Sequence, residues 1–241
     1  MLTMKVYKGV VLAAGCGSRL GQFTTTCPKV LLPIRGRVLI SYAIEALAVA
    51  GITEIAIVIG YLGDQVINAL GDSMFGVTLH YIFNDDYLGG SAISVYKTRD
   101  WANGEPIALC MGDHLIDKTL VSRLLDGIEL TDTLCIDYDL PKGCDIAEAT
   151  KVMVDDRGYI KNIGKELTRY NALDTGVFLL TENFFWATGE LISTSGINAE
   201  MSDVVNFLIN KDYSFHTCDV SGCLWADIDT EEDLNTLEII E

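Results

Sequence analysis

The chain has 241 residues, 49% hydrophobic and 21% charged, a balance that fits a folded protein with a full core and excludes a disordered one. Its formal net charge of -17 argues against nucleic-acid or acidic-membrane binding, because phosphate surfaces select basic faces. A single small anionic ligand is still allowed, since it needs only a local positive pocket.

The N-terminus, "MLTMKVYKGVVLAAG", imitates a signal peptide because Lys5 and Lys8 precede an apolar run. That run is short and interrupted by glycine and Arg19, and no stretch approaches the roughly 18 apolar residues of a membrane span. The expectation is a soluble, cytoplasmic protein without a membrane span.

In chain order, "GVVLAA" and "EIAIVIG" read as buried strands, since short continuous Val/Ile/Leu runs suit a sheet covered on both faces. Between them "VLISYAIEALAVAG" has helical length and stops at Gly51. "YLGDQVINALG" and "DKTLVSRLLDGI" are further helices, and "VTLHYIF" and "EPIALCM" further strands. Later, "ATKVMV", "DDRG" and "YIKNIG" make a hairpin, followed by the strand "DTGVFLL" and two weakly patterned helices. "SFHTCDV" and "LWADI" are the last strands, and an acidic helix capped near Thr230 closes the chain. This order predicts an α/β fold: a Rossmann-like mixed, mostly parallel sheet flanked by helices on both faces, with an antiparallel hairpin extension. The chain reads as one domain, residues 1–241, and the hairpin edge at Tyr159 to Gly164 offers a surface for a homodimer.

The seven cysteines include no CxxC pair, so reduced thiols are expected. His216, Cys218 and Cys223 lack the second paired group of a zinc site. Trp101, Trp186 and Trp225 are too scattered for a cage around a quaternary ammonium, and core or sheet-edge packing is the reading.

The stretch "LAAGCGSRLGQFTTTCPKVLLP" places a glycine-rich loop after a strand and feeds it with Arg19 and Lys29, a combination suited to a phosphate ligand. It is not a P-loop, because no Lys-Ser/Thr pair follows the last glycine. It is not a dinucleotide fingerprint either, because Gly15, Gly17 and Gly21 are spaced GxGxxxG. Downstream, "ALCMGDHLID" ends a strand at Asp113 and His114, and "LWADIDTEEDL" carries Asp227 and Asp229. Carboxylates at strand ends suit a magnesium ion, which takes one or two of them together with water and phosphate oxygens. His114 reads as a hydrogen-bonded loop histidine, and Asp229 as a helix cap. Read alone, the DxD pair Asp227/Asp229 also suggests a metal-dependent glycosyltransferase.

The pattern LAAGxGSRLxxxTxxxPKxLLPIxG resembles nucleotidyltransferases that join a nucleoside triphosphate to a sugar or alcohol phosphate. The set GDH, EATK, IGK, DTG and W-x-D-x-D-T resembles one branch, the CTP:inositol-1-phosphate cytidylyltransferases. This resemblance implies an Mg2+-dependent enzyme whose partners are CTP and a small phosphorylated polyol or alcohol. It implies that Leu12, Ala13, Ala14, Gly15, Gly17, Ser18, Arg19, Lys29, Gly90, Ser91 and Asp113 contact the nucleotide. It further implies that Glu148, Lys165, Asp174, Thr175 and Gly176 hold the acceptor, that Asp113 and Asp227 hold the metal, and that Lys29, Arg19 and Asp113 carry catalysis. Several members of that branch are fused to a membrane-embedded transferase. This sequence ends at Glu241, so such a partner is expected to be separate.

Overall fold

The computed structural model describes residues 6–126, 130–139, 146 and 148–234. Its first half alternates strand and helix. Strand β1 (Lys8–Ala13) leads through a 3-10 segment (Ser18–Thr24) and the small hairpin β2 (Pro33–Ile34) and β3 (Arg37–Val38) into helix α1 (Ile40–Val49). Then come β4 (Glu54–Ile59), α2 (Gly63–Leu70), β5 (Ser73–Met74), β6 (Val77–Phe83), α3 (Ser91–Tyr96), α4 (Arg99–Ala102) and β7 (Ile107–Met111). The chain continues with β8 (His114–Ile116), α5 (Leu120–Leu125), β9 (Thr133–Asp137), β10 (Lys151–Val154), β11 (Ile160–Gly164) and β12 (Ala172–Leu180). It closes with α6 (Glu182–Ser195), α7 (Met201–Asn210), β13 (His216–Asp219) and β14 (Trp225–Asp227).

A ten-stranded sheet runs in the order β11-β10-β12-β7-β1-β4-β6-β5, with β9 pairing β12 and β13. The segment β7-β1-β4-β6 is parallel, while β12 enters antiparallel to β7 and carries the β10/β11 hairpin. Period-two alternation splits the core. Val11, Ile55, Ile57 and Cys110 face Ile44, Leu47, Leu120 and Leu124 on one side. Val10, Ala56, Val58 and Leu109 face Val95, Phe184, Val204 and Leu208 on the other. Beyond Lys8 and Glu54 at their first positions, β1 and β4 carry no polar side chain, and neither does β7, as a sheet buried on both faces requires.

The fold matches the expected class and adds elements that the sequence reading did not place. Strand β9, "TLCID", is fully buried and holds β12 and β13 together. Helices α3 and α4 are too short for a hydrophobic period to be read. Helix α5 covers only six residues, since Thr119 starts it and Asp126 leaves it in extended conformation. The expected dimer edge is partly occupied within the chain. Asn206 of α7 accepts a hydrogen bond from Ile163 N and donates one to Ile163 O, satisfying backbone groups that edge-to-edge pairing would use. The end of the terminal helix and Cys144 lie outside the described residues. No helix among the described residues is long and apolar enough to cross a membrane, and the six described cysteines are free thiols.

Candidate active site

The site forms at the carboxyl ends of the parallel strands, where α/β ligand sites arise. After β1, the backbone bonds to its neighbours: Gly112 N donates to Leu12 O and Tyr61 N to Ala14 O. Glycine is needed at two of these approaches. A Cβ on Gly112 would meet Leu12 O at 2.5 Å, and one on Gly60 would meet Ala14 O at 2.9 Å. Ala13 is buried, Gly15 and Ser18 are exposed, and Gly17 takes a left-handed φ of 59° that starts the 3-10 turn. That turn presses Gly17 against Lys29, whose Cβ lies 2.9 Å from where a Gly17 Cβ would sit. Pro28 then directs Lys29 inward.

Lys29 is the centre of the cluster. Its side chain is only 6% exposed, and its Nζ lies 2.8 Å from Asp113 Oδ2, 2.5 Å from Asp229 Oδ1 and 3.8 Å from Asp227 Oδ1. Burial opposes its charge, but the three carboxylates outweigh that cost and hold the ammonium protonated well beyond the usual lysine range. Arg19 donates to Asp229 and approaches Glu148 at 3.6 Å, and Lys165 Nζ lies 3.9 Å from the same Glu148 oxygen. All three lysine and arginine cations are thus arrayed against carboxylates along one face.

Asp227 and His114 are direct cross-strand partners in the β14/β8 pair. His114 Nε2 lies 3.7 Å from Asp227 Oδ1, and Nδ1 lies 4.0 Å from Asp113 Oδ1. Burial disfavours charge on both Asp227 and His114. Their mutual attraction dominates, so the carboxyl is driven below its ordinary value and the imidazole above it. One ligand atom each from Asp113, His114 and Asp227 can be chosen so that all lie within 4.8 Å of one another, a donor set that fits a divalent cation.

Several expected site residues take other places. His114 belongs to strand β8 rather than a loop, and its Nδ1 is buried without a hydrogen-bond partner. Asp229 joins Lys29 and Arg19 in the cluster, while Thr230 and Asp233 cap the following turn. Thr175 is fully buried and donates its hydroxyl to Cys135 O, so that side chain is committed to the core instead of to an acceptor. The β12 register shifts between Asp174 and Phe178, and there Gly176, with φ 75°, packs against His114. Asp174 accepts from Gly176 N at 2.7 Å, and burial pushes its carboxyl up to about 6. Gly90 packs against Ala199, where a Cβ would meet the carbonyl at 2.1 Å. Ser91 gives both its N–H and its hydroxyl to Glu200. These two residues tie α3 to the start of α7.

The sequence matches the MobA-like NTP transferase domain over residues 9–143. The chain belongs to that family. The matched NTP transferase region contains Arg19, Lys29, Asp113 and His114, while Asp227 and Asp229 come from beyond it. Longer matches extend over them. The low-salt glycan biosynthesis nucleotidyltransferase Agl11 of Haloferax volcanii is 29% identical over 235 residues, covering 94% of this chain and 64% of that protein. The bifunctional IPC transferase and DIPP synthase of Aquifex aeolicus is 31% identical over 231 residues, covering 95% of this chain and 50% of that protein. The chain thus spans about half to two thirds of the length of these curated relatives. Among solved structures, the inositol-1-phosphate CTP transferase from T. maritima superposes with a TM-score of 0.83 at 27% identity, covering 97% of this chain and 94% of that one.

Proposed function

We propose that residues 1–241 act as one nucleotidyltransferase unit that joins CTP to inositol 1-phosphate, giving CDP-inositol and pyrophosphate. The observation that carries this reading is the buried Lys29 ammonium, held at 2.8 and 3.8 Å from two aspartates at the ends of separate strands. The likeness to an inositol-1-phosphate CTP transferase at 27% identity supports the choice of base and acceptor.

The chemical obstacle is the approach of one anion to another, so alignment and charge neutralisation supply most of the catalysis. An oxygen of the acceptor phosphate forms a new bond to the α-phosphorus of CTP, and the bond from that phosphorus to the bridging oxygen breaks in line. Pyrophosphate leaves with the electron pair. No covalent nucleophile or general base is required, because the attacking phosphate is already ionised. Lys29 screens the two phosphates from each other, and its burial makes that charge count for more than it would in water. Arg19 and the backbone from Ala14 to Ser18 hold the triphosphate tail. Lys165 orients the acceptor phosphate, and Glu148 and Asp174 meet its hydroxyls. Asp113 and Asp227 are the residues that would hold a divalent cation, Mg2+ in the first instance, which when bound neutralises charge on the α-phosphate.

A second reading, a sugar phosphate as acceptor, draws on the Haloferax volcanii relative named for glycan biosynthesis. Pyrophosphate release decides between them, measured with CTP, UTP, GTP, ATP and dTTP against inositol 1-phosphate, phosphocholine and glucose 1-phosphate. Highest turnover with CTP and inositol 1-phosphate is expected. A strong preference for UTP or dTTP with glucose 1-phosphate selects the second reading.

A further inference from the structure

The pair of carboxylates assigned to the metal does not account for His114. This side chain sits between them on the opposing strand, with Nε2 facing Asp227 and Nδ1 facing Asp113. Neither separation is a hydrogen bond, and Nδ1 is buried with no hydrogen-bond partner. A buried imidazole nitrogen that satisfies nothing in the fold needs another explanation. Donors around an ion with bonds near 2.1 Å lie roughly 3 to 4.2 Å apart. One ion takes a single nitrogen of the ring, and with one ligand atom from each residue Asp113, His114 and Asp227 lie within 4.8 Å of one another, so small side-chain adjustments close the set around it. The ring is also held in place: Gly176 packs against it, and any side chain at position 176 would collide with it.

We infer that His114 is a third protein ligand of the ion held by Asp113 and Asp227, giving a mixed oxygen and nitrogen site that takes Mn2+ or Co2+ more tightly than Mg2+. Mg2+ prefers an all-oxygen shell, whereas imidazole suits the transition metals. Mg2+ in excess still supports turnover through the two carboxylates, so the nitrogen sets metal preference and leaves the reaction unchanged. The inference rests on the proposed reading of Asp113 and Asp227 as ligands.

The test is direct spectroscopy of Mn2+ added to the full chain without nucleotide, read by electron spin-echo modulation, together with Co2+ and Mg2+ titrations. The expected result is nitrogen modulation from a coordinated imidazole in the unaltered protein, absent in His114→Gln. The same substitution should weaken Co2+ binding about tenfold or more and Mg2+ binding less than about threefold. Mn2+ binding without nitrogen coupling overturns the inference, as does Co2+ binding by His114→Gln equal to that of the unaltered chain. If Asp113→Asn abolishes Mn2+ binding while His114→Gln keeps it in full, the two-carboxylate site stands and only the histidine ligand falls. If Asp113→Asn and Asp227→Asn both bind Mn2+ normally, the metal assignment itself fails and this inference fails with it. A His114→Gln chain that does not fold leaves the nitrogen signal of the unaltered protein to decide.

Discussion

Gly176 lies so close to His114 that a Cβ at position 176 would come within 2.5 Å of both Cε1 and Nδ1 of the ring. Its φ of 75° is also in the left-handed region that disfavours every other residue. Gly176→Ala is therefore expected to lose on the order of 1–2 kcal/mol from backbone strain alone, read as a lower urea midpoint. It should also displace the His114 ring and slow pyrophosphate release. A variant with unaltered stability and turnover contradicts this packing role.

Strand β14, which carries Asp227, is anchored from behind. Trp225 Nε1 donates to Asp137 Oδ2 at 2.8 Å, and both residues are buried. Trp225→Phe keeps most of the apolar volume but leaves a buried carboxylate oxygen without its donor, a loss of roughly 1–3 kcal/mol. Thermal unfolding should show the drop, and divalent-cation affinity should fall because Asp227 loses its support two residues away. Equal melting temperatures for the two proteins would remove this link.

Asp174 gives stability a defined dependence on pH. Burial raises its carboxyl from 3.8 to about 6, so the folded protein holds this proton more tightly than the unfolded chain. Its contribution is fully favourable below pH 4 and is lost as pH rises through about 6. The shift corresponds to at most about 3 kcal/mol, and partial solvent access reduces the expected effect to about 1 kcal/mol. Asp174→Asn keeps an oxygen for Gly176 N, so in metal-free buffer it should be more stable than the unaltered chain at pH 8 and no more stable at pH 4. A difference independent of pH contradicts the assignment.

Much of this site could be read from the chain alone, because its residues sit next to strong local signals. Lys29 follows Pro28 in a recognisable run after β1, and Asp113 and Asp227 each end an apolar strand. They meet at one lysine because Asp113 follows parallel strand β7, while the antiparallel β8/β14 ribbon returns Asp227 to the same edge. Other features depend on long-range contacts that no local pattern encodes. Asp229 looks like a helix cap in sequence, yet Lys29 draws its side chain from 200 residues away. The pairing of His114 with Asp227 comes from the register of a two-stranded β8/β14 ribbon, too short to show alternation. Thr175 faces the core because the β12 register shifts at that point, and such an irregularity leaves no periodic trace. Strand β9 leaves little trace in the sequence, because its five residues lie in a stretch otherwise rich in turn formers.

The proposed mechanism stands on the charge that Lys29 places between two phosphates. Lys29→Met keeps the length and the apolar stem of the side chain and removes only the charge, so steady-state pyrophosphate release from CTP and inositol 1-phosphate reads that charge directly. The expected result is a fall of about 10² to 10³ in kcat, with circular dichroism showing the fold retained. A folded Lys29→Met chain turning over at a rate near that of the unaltered protein contradicts the account.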